Sequence, residues 1–138
     1  SFQSLSSKAQ CSTPVVELIG ASSALLMYNT YVGIGSIADM YVKDVIDNKR
    51  AQTLLEEQTA MIDNVIAYYT KASNDKTNSL SQDDKDFLKE IVKTLNYLSN
   101  EAHALNKFTK SGSDADRNEY DQNRNAAWKN IEILLDLE

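Results

Sequence analysis

The chain has 138 residues, a formal net charge of −6 and one cysteine, and a quarter of its residues are charged. This length suffices for one domain whose core needs neither metal nor disulfide. Its basic residues are scattered among carboxylates, which argues against a nucleic-acid partner because phosphate binding needs clustered Lys and Arg. The single Cys11 excludes an intramolecular disulfide.

The N-terminal segment is polar, and we expect residues 1–12 to be flexible and to precede a single bundle domain over 13–138. The sequence begins at Ser1 rather than at a methionine, as a mature protein does after removal of a signal peptide. We therefore expect export to the periplasm or the extracellular space.

The first predicted helix opens at Thr13-Pro14, a capping hydroxyl followed by proline at the first helical position. Its residues 18–38 include no charged side chain, so the helix is unusually apolar. A run of this length approaches the roughly 20 residues that cross a bilayer, but glycines, serines and Asn29 dilute it. We favour a helix that several neighbours contact in a bundle.

Two positions compete for the end of this helix. The polar cluster over 47–50 indicates a turn followed by a second helix, whose predicted apolar face includes Leu55, Met61 and Ile62. Alternatively, the glycines over 33–35 end the helix, and a new one starts near Ser36. We favour the turn near 47–50, and we expect the glycines to produce a kink or close packing.

The third and fourth helices carry clear start signals. Ser81 and Asp84 form one predicted capping box, and Ser113 and Asp116 form another, with Gly112 as the left-handed residue between the helices. The third helix has an apolar seam with alternating spacings of three and four, composed of Leu88, Ile91, Leu95, Leu98, Ala102 and Leu105. The fourth helix is polar at its start, so its first turns are exposed, frayed or reserved for a partner. The sequence therefore predicts an all-α, up-down four-helix bundle.

The sequence offers little catalytic chemistry. His103 is the only histidine, and Glu101 lies two residues away rather than the three that a di-iron bundle requires. No nucleophile elbow, phosphate loop or haem attachment motif is present. We therefore predict that the protein is not an enzyme and that it holds no cofactor and no metal.

Tyrosines are concentrated in the first two helices, at Tyr28, Tyr31, Tyr41, Tyr68 and Tyr69. Tyrosine is favoured at interfaces, because it offers a large contact area with a polar tip. Together with the apolar first helix, these rings predict a contact surface for a protein partner or for a homodimer. The alternative is that they pack at the boundary of the bundle with their hydroxyls in water.

Two further hypotheses remain open. A membrane-active bundle would insert residues 18–38 into a bilayer, as helical pore-forming proteins do, although we consider a membrane partner less favoured than a protein. A small-ligand-binding bundle would use Ser22, Asn29 and Ser36, which are spaced by seven, as a buried polar stripe. Ordinary small residues at a tight helix crossing would show the same spacing.

Overall fold

The computed structural model describes residues 14–136, which form four α-helices and no strand. The helices are α1 (Pro14–Val42), α2 (Asn48–Asn74), α3 (Gln82–Ser111) and α4 (Asp114–Leu135). The prediction of an all-α, up-down four-helix bundle is confirmed. The expectation of a flexible segment over 1–12, the predicted cap at Thr13 and Cys11 lie outside the described residues.

Helix α3 forms the centre of the bundle. Its six predicted seam residues are all buried, which confirms that face. Helices α2 and α4 pack extensively against α3, whereas α1 packs less closely against each of the other three helices. The bundle therefore consists of a tight α2–α3–α4 unit with α1 laid against it.

Helix α1 ends at Val42 rather than near residue 47. Asp44 adopts a left-handed conformation with φ of 57°, and the Val45 N–H donates to the Met40 carbonyl. This Schellman arrangement stops the helix. Asp47, expected in the turn, instead accepts from the Arg50 N–H at 2.7 Å and caps α2. The turn thus lies a few residues earlier than predicted.

The glycines over 33–35 do not interrupt α1, so the alternative helix boundary there is wrong. A Cβ atom built on Gly35 would lie 2.5 Å from Arg124 Nη2, whereas one on Gly33 would make ordinary contact with Gln58. The expected close packing is therefore found at Gly35, where the Arg124 guanidinium of α4 approaches the α1 backbone.

The predicted caps of α3 and α4 are confirmed. Ser81 accepts from the Asp84 N–H at 3.1 Å, and Ser113 accepts from the Asp116 N–H at 3.2 Å. Gly112 has the expected left-handed φ of 63°. The first turns of α4 are regular helix with mostly exposed side chains, among which Tyr120 is the buried exception.

Candidate functional site

The outer face of α1 carries a row of exposed large apolar side chains. We call Leu18, Leu25, Tyr28 and Val32 the outer stripe; Leu18 is 65% exposed and Leu25 is 62% exposed. Their spacings of seven, three and four place them within a narrow arc of the helix. By contrast, α3 exposes no large apolar side chain. Helix α2 exposes two large apolar side chains and α4 exposes one, so within residues 14–136 the exposure of apolar side chains is greatest on α1.

The buried face of α1 lies on the opposite side of the helix. It consists of small and medium side chains in alternating spacings of three and four: Gly20, Ser23, Met27, Thr30, Ile34 and Ile37. Hydrogen bonds supplement this modest apolar contact, since Ser23 Oγ and the Tyr69 hydroxyl of α2 lie 2.6 Å apart. Helix α1 thus exposes five large apolar residues, the outer stripe and Val42 at its C-terminal end. It fully buries three, Met27, Ile34 and Ile37, and packs further apolar side chains only partly against the core.

The expectation of a buried polar stripe is wrong. Ser22, Asn29 and Ser36 are all exposed, and the Ser36 hydroxyl donates to the Val32 carbonyl of its own helix at 2.9 Å. The buried face includes Ser23 and Thr30 instead, each one position after a residue of the predicted stripe. One position corresponds to a rotation of about 100° around the helix, so the predicted stripe faces away from the core. These three side chains instead border the outer stripe on one flank.

The five predicted contact tyrosines occupy different environments. Tyr28 and Tyr68 are exposed, whereas Tyr31, Tyr41 and Tyr69 are half-buried. Tyr31 packs against Trp128 of α4 with ring centroids 5.0 Å apart, and Tyr41 meets Phe108 of α3 edge-on at 6.1 Å. The structure therefore does not bring all five together: Tyr28 belongs to the outer stripe, and Tyr31, Tyr41 and Tyr69 hold α1 and α2 in the bundle.

An ion pair between the buried Glu101 and the half-buried Arg124 helps to fasten α1 to the other helices. Arg124 Nη1 donates to Glu101 Oε2 of α3 at 3.0 Å and to the Tyr31 carbonyl of α1 at 3.3 Å. The guanidinium also lies over the Tyr31 ring, 4.0 Å from its centroid, in a cation–π contact. We call Arg124, Glu101 and Tyr31 the arginine clamp, because one guanidinium links α1, α3 and α4.

Glu101 is an unusual carboxylate. Its side chain is fully buried, and Oε1 has no hydrogen-bond partner within the described residues. Desolvation by burial raises the pKa of Glu101 to about 7, although Arg124 opposes this effect through its charge and its hydrogen bond. The carboxyl group therefore exchanges its proton near neutral pH.

The arginine clamp was not predicted from the sequence. A signal was present in α4, where Tyr120, Arg124, Ala127, Ile131 and Leu134 are spaced by four, three, four and three. Arg124 thus occupies a seam position of an otherwise apolar face, and such a charge needs a buried partner. The partner itself was not readable, because Glu101 borders the α3 seam and only the packing of the helices brings it to Arg124.

Other candidate sites have less support. No group of three or more metal-ligating side chains that could hold an ion lies within residues 14–136, and His103 is exposed. Along the same residues, every helix falls short of the combined length and hydrophobicity that a membrane crossing requires. Comparisons with protein-family models, curated proteins and solved structures found no match to this chain.

Proposed function

We propose that this protein is a non-enzymatic helical-bundle interaction module that associates with a second copy of itself through the outer stripe of α1. The observation that supports the proposal is the outer stripe itself, because four large apolar side chains of one helix lie exposed within a narrow arc. Contiguous exposed apolar surface on a protein marks an interaction site.

The outer stripe has the symmetry that a two-fold dimer needs. In an antiparallel pairing centred on Leu25, Leu18 of one copy meets Val32 of the other, and Leu25 meets its own equivalent. Tyr28 then faces Ser22 of the second copy, which supplies a polar group near the phenol. The stripe runs for about 21 Å along the helix. An interface of this kind is self-complementary, as closed dimers require.

The distribution of charge also favours a second copy of the chain as the partner. Each chain carries a net charge of −6, so two copies repel each other over most of their surfaces. Residues 18–38 are the uncharged exception. A parallel pairing would bring Glu17 and Asp39 against their own equivalents, whereas the antiparallel pairing separates them. An uncharged stripe also offers nothing that would select a charged partner.

We expect Leu25→Glu to weaken the dimer by at least about 100-fold in dissociation constant, because each interface would bury two carboxylates and lose two leucine contacts. Light scattering coupled to size-exclusion chromatography, run over a range of protein concentrations, measures this change. The control is Met61→Glu, which places the same charge at a 56% exposed apolar residue on α2, outside the stripe.

Two results would contradict the proposal. One is a wild-type protein that stays monomeric at the highest soluble concentration. The other is equal behaviour of the Leu25→Glu and Met61→Glu variants. Flotation with phosphatidylcholine vesicles tests the membrane-active alternative on the same samples. If the wild type floats and Leu25→Glu does not, the stripe binds lipid rather than a second copy.

A further inference from the structure

A partly open cavity with a mixed polar and apolar wall lies where α1, α3 and α4 meet, beside the arginine clamp. It has a volume of about 330 Å³. Its wall includes Ala38 and Val42 of α1, Leu105 and Phe108 of α3, and Tyr120 and Arg124 of α4. We call it the Arg124 pocket. A volume near 300 Å³ is at the lower end of the range that small-molecule sites occupy.

We propose that the Arg124 pocket binds a carboxylate joined to a short apolar tail, with Arg124 and Tyr120 donating hydrogen bonds to the carboxylate. This inference goes beyond the proposed self-association, because none of the pocket residues belongs to the outer stripe. Short-chain fatty acids and apolar amino acids both combine a carboxylate with a short apolar tail.

Arg124 has N–H groups that are available to donate hydrogen bonds to such a ligand. A guanidinium carries five N–H groups in a planar fork. Within the described residues, Arg124 uses only Nη1, which donates to Glu101 and to the Tyr31 carbonyl. Nη2 lies against Gly35, another residue of the pocket wall, where the missing Cβ leaves room for it. The free edge of the fork matches the two oxygens of a carboxylate.

Tyr120 supplies the second donor. Its side chain is only 8% exposed, and its hydroxyl makes no hydrogen bond to any group in residues 14–136. Burial raises the pKa of Tyr120 to about 12, so the phenol stays protonated at physiological pH and is able to donate. The hydroxyl oxygen is not fully enclosed, so a ligand oxygen in the pocket is able to replace the water that reaches it.

The remaining wall sets the shape and charge of the ligand. Ala38, Val42, Leu105 and Phe108 offer apolar contact for a short tail. Asp39, Asp121 and Arg117 also line the pocket, and all three are exposed. The two aspartates outnumber the single exposed arginine, so they disfavour a second negative charge on the ligand. The site should therefore prefer monocarboxylates to dicarboxylates.

Glu101 competes with the ligand for Arg124. Two carboxylates sharing one guanidinium repel each other, and the buried Glu101 is the weaker partner because Oε1 is unsatisfied. Removing the charge of Glu101 while keeping its shape should therefore strengthen ligand binding. This direction of change distinguishes a ligand site from a structural crevice, which no substitution would turn into a better binder.

The test is an NMR titration of the full chain with isovalerate, leucine, isoamyl alcohol and glutarate, following the amide signals of the pocket residues. Isovalerate or leucine should bind more tightly than the other two, and the tighter of the pair identifies the source of the carboxylate. Tyr120→Phe should weaken that binding by about tenfold, as loss of one hydrogen bond to a charged group does. At pH 8, where the Glu101 carboxylate is charged, Glu101→Gln should tighten it.

Equal shifts with isoamyl alcohol would overturn the proposal, because binding would then need no carboxylate. Absence of any shift at millimolar isovalerate and leucine would also overturn it. So would a Tyr120→Phe variant that binds as well as the wild type. Tyr120→Phe keeps the packing of the ring, so a folding defect does not obscure this result. None of these outcomes bears on self-association, which the stripe variants test separately.

Discussion

Replacing Arg124 by methionine is expected to lower the free energy of unfolding by about 3 kcal/mol at pH 8. The substitution keeps a long apolar side chain over Tyr31 but removes the one positive charge that contacts Glu101 within residues 14–136. A fully buried carboxylate must then stay charged without a partner or take up a proton against the bulk pH. Urea denaturation at one fixed protein concentration measures the loss.

A matched pair of variants separates the charge from other effects of Arg124→Met. Arg117→Met removes an exposed arginine seven residues earlier on the same helix, and we expect it to change stability by less than about 0.5 kcal/mol. Arg124→Met combined with Glu101→Met replaces the buried pair by apolar groups and should recover most of the lost stability. An Arg124→Met variant no less stable than Arg117→Met would refute the arginine clamp as an anchor of α1.

The stability of the wild type should fall by about 3 kcal/mol as the pH rises from 4.5 to 7, as a result of Glu101 alone. The pKa of Glu101 is about 7 in the folded protein and 4.5 as a free side chain. Between these values the folded state binds a proton that the unfolded state has released. Acidification within this window therefore stabilises the protein, and the contribution is lost as the pH rises through 7.

Glu101→Gln is the control for this pH dependence, because an amide of the same shape has no proton to lose. The difference in stability between variant and wild type should appear between pH 4.5 and 7, with the variant the more stable above pH 7. Asp75 and Asp116 do not interfere, because hydrogen bonds from Thr77 and Ser111 lower their pKa values below 3.8. Their stabilising contributions are present above pH 3.8 and decline only below it. If the stability of wild type and of Glu101→Gln changes with pH in parallel, the raised pKa of Glu101 is contradicted.

Features that depend on local chemistry were predictable from the sequence. The α3 seam repeats over six residues, and the serine caps of α3 and α4 each bond an N–H three residues away. Such signals are complete within one or two turns of chain. The end of α1 was harder to place, since a left-handed Asp44 replaces the glycine that usually marks a helix terminus.

The orientation of α1 could not be read from its own residues. A helix that is apolar nearly all round gives no preference for one face, so Ser22 and Ser23 were equally good candidates for the core. Packing against the other three helices buries Ser23 and exposes Ser22. The same packing exposes the outer stripe and brings Glu101 to Arg124. The exposed apolar helix was therefore predictable, but the residues that form its outer stripe were predictable only in part, and Tyr28 is the one tyrosine of the predicted set that lies in the stripe.

Disulfide cross-linking at position 25 tests the proposed two-fold association most directly. In a Cys11→Ser background, Leu25→Cys places one thiol per chain on the symmetry axis of the antiparallel pairing, where the two Cα atoms come nearest. Met61→Cys in the same background is the control on α2. We expect Leu25→Cys to oxidise rapidly to a covalent dimer and Met61→Cys to oxidise slowly. Equal rates for the two variants would contradict self-association through the outer stripe.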